Sequence, residues 1–205
     1  MKNTLTRRAG LLVSAVIILN LFGLVYGESL GRLLIPFYGY TFSMMADDFQ
    51  LKSIRIEQQD VETVYRVYVA SKSEYSSQRK IPLGIELSAT TLTAHSLQSI
   101  IIFFVVLLVW PVSKISHKLL IVVISMPLLL ILLMIDTPLV LLGSLEDLLL
   151  FQFHPELLRE SKIIFWMKTM NSGGRLAMAI IIPVVVIGCV QMIAGYKISK
   201  GSRRM

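Results

Sequence analysis

The sequence predicts a membrane all-α bundle of four transmembrane helices, with a small extracytoplasmic β unit and interfacial amphipathic helices beside it. Three observations lead there. Only 16% of the 205 residues are charged and 55% are hydrophobic, with a mean hydropathy of +0.71, whereas soluble domains carry about 25% charged residues. The apolar residues gather into long runs rather than the one-sided stripe of a soluble helix. Basic residues flank those runs, as they do where a chain repeatedly crosses a bilayer.

The first run is Ala9 to Tyr26, preceded by Lys2, Arg7 and Arg8. It is long enough to span, since about 20 apolar residues cross the hydrocarbon core. Val25-Tyr26-Gly27 has the small-residue character of a signal-peptide cleavage site. A retained anchor over residues 1–27 is the expectation, with a cleaved signal peptide as the alternative. Residues 28–94 are the least hydrophobic part. There, Ser53-Ile54-Arg55-Ile56 alternates, Glu57-Gln58-Gln59-Asp60 interrupts, and VETVYRVYVA follows, a strand–turn–strand signature. Lys72 to Lys80 reads as a polar loop, and Ile81-Pro82-Leu83 as renewed extended chain, because proline disfavours helix at the residue before it. A β unit this small cannot bury a core alone and must be covered.

Residues 95–135 read as a transmembrane hairpin. His95 to Val112 is one run, Ser113 to Lys118 a short polar link, and Leu119 to Ile135 the next run, stopped by Asp136-Thr137-Pro138. So short a link makes the two runs antiparallel neighbours. Residues 136–175 are mixed. PLVLLGSLEDLLLF, with Glu146 and Asp147 among leucines, reads as an interfacial amphipathic helix; a fifth span would bury two acids at several kcal/mol. His154-Pro155 breaks it, and ELLRESKIIFWMK begins a second such helix with Phe165 and Trp166 as interface anchors. Asn171 to Gly174 reads as a turn, with Arg175 holding the next helix start at the headgroups. The last run, Leu176 to Tyr196, spans within residues 176–205 and ends in a basic tail.

Charge distribution orients the chain. With both termini inside, residues 1–8, 113–118 and 197–205 hold nine basic residues and no acid, and all 13 acids lie in the outside segments. Multi-pass insertion in a cytoplasmic membrane, N-terminus and C-terminus inside, is expected. The net charge of +7 therefore reads as topology. No basic stripe interleaved with aromatics is present, so no nucleic-acid partner is expected. The lipid bilayer and other membrane or envelope proteins are the expected partners, and no small-molecule substrate is evident.

No catalytic, cofactor-binding or metal-binding residues are assigned. Cys189 is the sole cysteine and sits in an apolar run, which excludes an intramolecular disulfide or a multi-cysteine metal site. His117 falls in the inner link. His95 and His154, with Glu146 or Asp147, could converge near the outer interface, and this is the basis of an alternative reading as a small intramembrane enzyme. No Walker or dinucleotide motif occurs. Asn20 and Gln191 are expected to form interhelical hydrogen bonds of about 1 kcal/mol each. An oligomeric channel or carrier subunit is a further alternative.

The layout and one short stretch carry a family resemblance. A retained anchor, an outside β-rich segment and Ile81-Pro82-Leu83 leading into a hairpin are followed by Asn171-Ser172-Gly173-Gly174-Arg175-Leu176-Ala177 entering the last span. This arrangement resembles the small membrane proteins associated with exosortase H, which accompany a bacterial protein-sorting transpeptidase. The resemblance implies a bacterial inner-membrane accessory protein and supplies no catalytic residues. Exosortases use a cysteine, an arginine and a histidine in that chain order near the outer face. Here Cys189 follows every histidine. The expected function is thus a non-catalytic accessory or assembly subunit that docks partners through residues 28–94 and 136–175.

Overall fold

The computed structural model describes residues 2–72, 84–110 and 115–202, with side chains described from 9 to 193 within those ranges. The chain is mostly helical with one small sheet. In order come α1 (Lys2–Met45), β1 (Phe49–Gln59), β2 (Glu62–Ser71), β3 (Glu86–Leu92), α2 (Thr93–Val109) and α3 (Ile115–Phe153). A 3-10 turn (Pro155–Arg159), α4 (Lys162–Thr169), a π turn (Met170–Gly174) and α5 (Arg175–Ser202) complete it.

Three helices are long and apolar enough to cross a membrane: Ala9–Met45, Ile115–Phe153 and Lys162–Ile193, the last running through the π turn. α2, Thr93–Val109, is a shorter apolar helix. The chain divides into two compact units, one comprising residues 1–24, 98–131 and 176–205, the other residues 25–97 and 132–175.

In the first unit the apolar side chains face mostly outward. Leu11, Ile17, Ile18 and Leu24 on α1, Leu119 and Val123 on α3, and Ile181 and Val185 on α5 are all exposed. In water this surface would be costly at roughly 25 cal/mol per Å²; in hydrocarbon it costs nothing. A small set turns inward, including Phe103, Leu107, Ile121, Leu129, Ala179 and Ile187. Gly23 lets α1 approach α2 closely, since a Cβ there would stand 3.2 Å from Ile101 Cδ1.

The second unit has a conventional core. β1 and β2 form a hairpin joined by Asp60 and Val61, with Gln59 opposite Glu62, and β3 pairs on the far side of β2 to give an antiparallel meander β1-β2-β3. Asp60 adopts φ 54 at the tight turn, a conformation aspartate tolerates better than most residues. A bulge lies between Leu51 and Ser53. The sheet is covered from two sides of the sequence. On α1, Leu34, Tyr38 and Phe42 recur at i, i+4 and face inward; on α3, Leu141, Leu142, Leu145 and Leu149 do the same. They pack with Ile54, Tyr65, Val67, Val69 and Ala89. Tyr38 and Tyr65 meet edge to face, ring centroids 5.2 Å apart, a geometry worth about 1 kcal/mol beyond burial.

Several sequence expectations are corrected. α1 does not end near Tyr26 but runs to Met45 through Pro36, so residues 28–45 are a helical lead into the strands of the 28–94 segment. α3 does not stop at Asp136-Thr137-Pro138; it continues for 39 residues in all to Phe153, so the expected interfacial helix over 138–151 is not separate but part of α3. Proline removes one helical donor, but burial of Val140, Leu141, Leu142 and Leu145 just beyond it holds the helix together. The second amphipathic helix shrinks to a 3-10 turn and the eight-residue α4. The break at His154-Pro155 does occur, with His154 at φ −148 and ψ 62. The polar interruption between strands narrows from Glu57–Asp60 to Asp60–Val61. Ile115 to Lys118, the second part of the expected polar link, form the first turn of α3. The extended path at 81–83, nearly all of the loop 72–80, and the start of the 113–118 link lie outside the described residues.

Candidate functional site

The second unit contains a buried polar centre that no sequence motif signals. Its anchor is an ion pair: Arg175 Nε donates to Asp136 Oδ2 at 2.6 Å, and both side chains are only 7% exposed. Asp136 lies midway along α3 and Arg175 opens α5. Gly173, at φ 110, and Ser172, at φ −87 and ψ 15, kink the chain just before it. The kink makes room for glycine only: a Cβ at Gly174 would stand 2.8 Å from the Thr169 carbonyl oxygen. The NSGG stretch therefore does set a bend. Arg175, however, turns into protein rather than toward headgroups as expected.

Around the pair, hydroxyls form a chain. Tyr38 Oη donates to Ser96 Oγ at 3.4 Å, and Ser96 Oγ is 3.0 Å from Thr137 Oγ1. All three residues are buried. Trp166, expected as an interface anchor, instead has its indole beside the Asp136 carboxylate. Among the described residues no acceptor meets Arg175 Nη1 or Nη2, and Tyr65 Oη is buried close to Tyr38. Gly31 accommodates that phenol, as a Cβ there would lie 2.8 Å from Tyr65 Oη. Burial pushes the Tyr65 phenol well above its ordinary value, so it stays a neutral donor. Buried charged donors left unmatched cost more than neutral ones, so this concentration of them marks the centre as a functional candidate.

Two clefts open on the same unit. One, of about 400 Å³, is lined by Asp60 and Glu62 from the hairpin, Thr91 from β3, His95 from α2 and Asn171 from the π turn. Another, of about 540 Å³, has an apolar floor from Phe49, Leu142 and Leu149 and acidic residues including Asp47, Asp48 and Glu160.

The four residues of the enzyme alternative occupy separate settings. His95 lines the smaller cleft. His154 Nδ1 is 3.2 Å from Glu156 Oε1, and the local backbone, with this contact, holds the Glu156 carboxyl below its usual range. Glu146 Oε2 accepts from Ser161 Oγ at 3.0 Å, and Asp147 pairs with Lys168 at 3.4 Å. Among the described residues no group of three or more His, Cys, Asp and Glu is placed to hold a metal ion. Cys189 is exposed on α5. Asn20 bonds within its own helix, to the Val16 carbonyl at 2.8 Å, not across helices, and Gln191 is exposed. On the sheet, Lys52 pairs with Glu86 and holds its carboxyl below the usual range.

Ser161 has two roles that a single substitution can test. It caps α4 by accepting from Ile164 N at 3.2 Å while donating to Glu146. Ser161→Ala is expected to cost about 1–2 kcal/mol, read as a lower unfolding midpoint in mild detergent. An unchanged midpoint would show that α4 is held by packing alone.

No protein-family model, curated protein or solved structure matches the chain.

Proposed function

We propose that this protein is a non-catalytic accessory or assembly subunit of a membrane complex, docking a protein partner through residues 25–97 and 132–175. The observation that carries this reading is an outward apolar stripe on α1: Leu33, Phe37, Tyr40 and Met44 are exposed at 65%, 46%, 70% and 66%, at helical spacing. Lipid cannot cover all of it. The apolar helix Ala9–Met45 has 37 residues, about 55 Å at 1.5 Å per residue, against a hydrocarbon core of about 30 Å. With Ala9 near the inner surface, the turns carrying Phe37, Tyr40 and Met44 extend past the bilayer core, where an aromatic stripe calls for a protein surface. Phe151 and Phe165 are exposed at 75% and 71% in the same unit.

Four spans belong to this reading, with α2 as the fourth: its 17 residues meet the lower limit of about 17 for crossing. Both termini lie in the cytoplasm. Charge supports this: all 13 acids fall within 25–97 and 132–175, while residues 1–24, 98–131 and 176–205 hold nine basic residues and no acid. The resemblance to exosortase H-associated proteins points to a partner in a bacterial protein-sorting system.

A photo-crosslinking side chain at Tyr40, compared with one at Ile17, tests docking in native membranes. Tyr40 is expected to yield one protein adduct of defined mass, abolished by Phe37→Glu, while Ile17 yields lipid adducts. Lipid adducts at both positions, from protein still folded, would defeat the docking reading.

A further inference from the structure

The larger cleft, about 540 Å³, lies wholly within the second unit and takes its walls from three places in the chain. α3 supplies Leu142, Glu146, Leu149 and Leu150, whose i, i+4, i+7 and i+8 spacing puts them on one helix face. The link from α1 to β1 supplies Met45 to Phe49, and the chain entering α4 supplies Glu160 to Ile163. These walls are tied in place. Ala46 N donates to the Phe42 carbonyl at 2.9 Å and Phe49 N to the Ala46 carbonyl at 3.3 Å. Ser161 donates to Glu146 while capping α4. The groove is preformed, and its volume lies within the roughly 300–1,000 Å³ usual for ligand pockets.

Floor and rim differ in chemistry. Ala46, Phe49, Leu142, Leu149 and Leu150 are buried and form an apolar base. Around them stand four carboxylates, Asp47, Asp48, Glu146 and Glu160, against one basic residue, Lys162. This is a local excess of negative charge in a chain whose net charge is +7. Among the described residues, Asp47, Asp48 and Glu160 pair with no basic side chain. A point cation is not served, since among the described residues no three His, Cys, Asp or Glu are placed to hold a metal ion. Charge spread along a rim suits an extended cation. A polyamine would meet the rim and leave the apolar floor unfilled. A peptide whose apolar side chain is flanked by lysine or arginine covers both, because those side chains lay their methylene stems on apolar surface and carry the charge outward.

We propose that this groove takes a short basic and apolar segment of the protein partner. Its apolar side chain sits on Phe49, Leu142 and Leu149, and its flanking Lys or Arg side chains meet Asp47, Asp48 and Glu160. Glu146, engaged by Ser161, holds the wall. The assignment rests on the docking reading above and adds the partner's chemistry. Met44, the last exposed residue of the α1 stripe, directly precedes Met45 of the groove wall, so one partner covers both.

The test is fluorescence anisotropy on the full chain in an uncharged mild detergent. The probe is a labelled peptide in which leucine alternates with lysine, with the signal from empty micelles subtracted. Saturable one-to-one binding is expected, weakening as salt is raised. Asp47→Asn with Glu160→Gln, both at exposed positions, is expected to weaken it at least tenfold with the unfolding midpoint unchanged. Asp60→Asn with Glu62→Gln, on the hairpin of the same unit, should leave it unaltered. A peptide with serine in place of leucine should bind at least tenfold more weakly. No saturable binding, equal loss from the two double variants, or equal affinity for the serine peptide or for spermine would overturn the assignment. A Tyr40 protein adduct without peptide binding removes the groove and leaves docking standing. Lipid adducts at Tyr40 with specific peptide binding remove the stripe and leave the groove.

Discussion

Asp136→Ala should lower the unfolding free energy by about 3–5 kcal/mol, the usual cost of stranding one partner of a buried ion pair. The expectation follows from the 2.6 Å contact and from exposures of 7% on both side chains, which leave Arg175 no route to water. Because Arg175 already has two nitrogens without protein acceptors, removing Asp136 takes away its sole hydrogen-bonded counter-charge among the described residues. The double change Asp136→Leu with Arg175→Met should recover most of that loss, since apolar replacement of a buried pair is commonly neutral or better. Reversible unfolding in detergent or mixed micelles measures both. A cost below about 1 kcal/mol for the single change would mean that water reaches the pair, which would remove the reason to regard the centre as buried.

The second large effect concerns Gly143, where α3 passes against α4. A Cβ at this position would stand 2.7 Å from Met167 Cβ and 3.0 Å from the Ile163 carbonyl oxygen. Neither atom is at the end of a flexible side chain, so the clash cannot be relieved by a rotamer change. Gly143→Val is expected to cost about 3 kcal/mol, the upper part of the range for overpacking, and to raise amide hydrogen exchange across residues 162–169 as α4 is displaced. Gly39→Ala is the control. Its Cβ would meet only Leu51 Cδ2 at 3.8 Å, and the gain in helix propensity should stabilise by about 0.5–1 kcal/mol. Equal effects from the two changes would contradict the close approach of α3 and α4.

How much of this is legible in the sequence depends on the length scale of each signal. The apolar runs and the Val- and Tyr-rich hairpin are local patterns, and the helices and strands they predict are present. Structure and expectation part where polar residues and prolines read as boundaries. Asp136-Thr137-Pro138 resembles a stop because nothing local reveals that Asp136 has Arg175, 39 positions away, as its partner. Pro36 similarly obscures the i, i+4 spacing of Leu34, Tyr38 and Phe42, a helical signal present in the sequence that extends α1. The hydroxyl chain through Tyr38, Ser96 and Thr137 joins three distant segments and has no sequence signature. Conversely, His95, His154, Glu146 and Asp147 draw notice by residue type, and the fold disperses them into separate contacts.

The bulge at Lys52 on β1 has a consequence for solubility during assembly. β1 is an outer strand of the meander, and a flat outer strand offers its backbone as a template to any passing chain. Twisting the ladder at that point and placing a lysine there, paired with Glu86, makes edge-to-edge growth unfavourable. Copies crowded in one membrane are thereby discouraged from polymerising through the sheet, and recognition is left to side chains, where it can be selective.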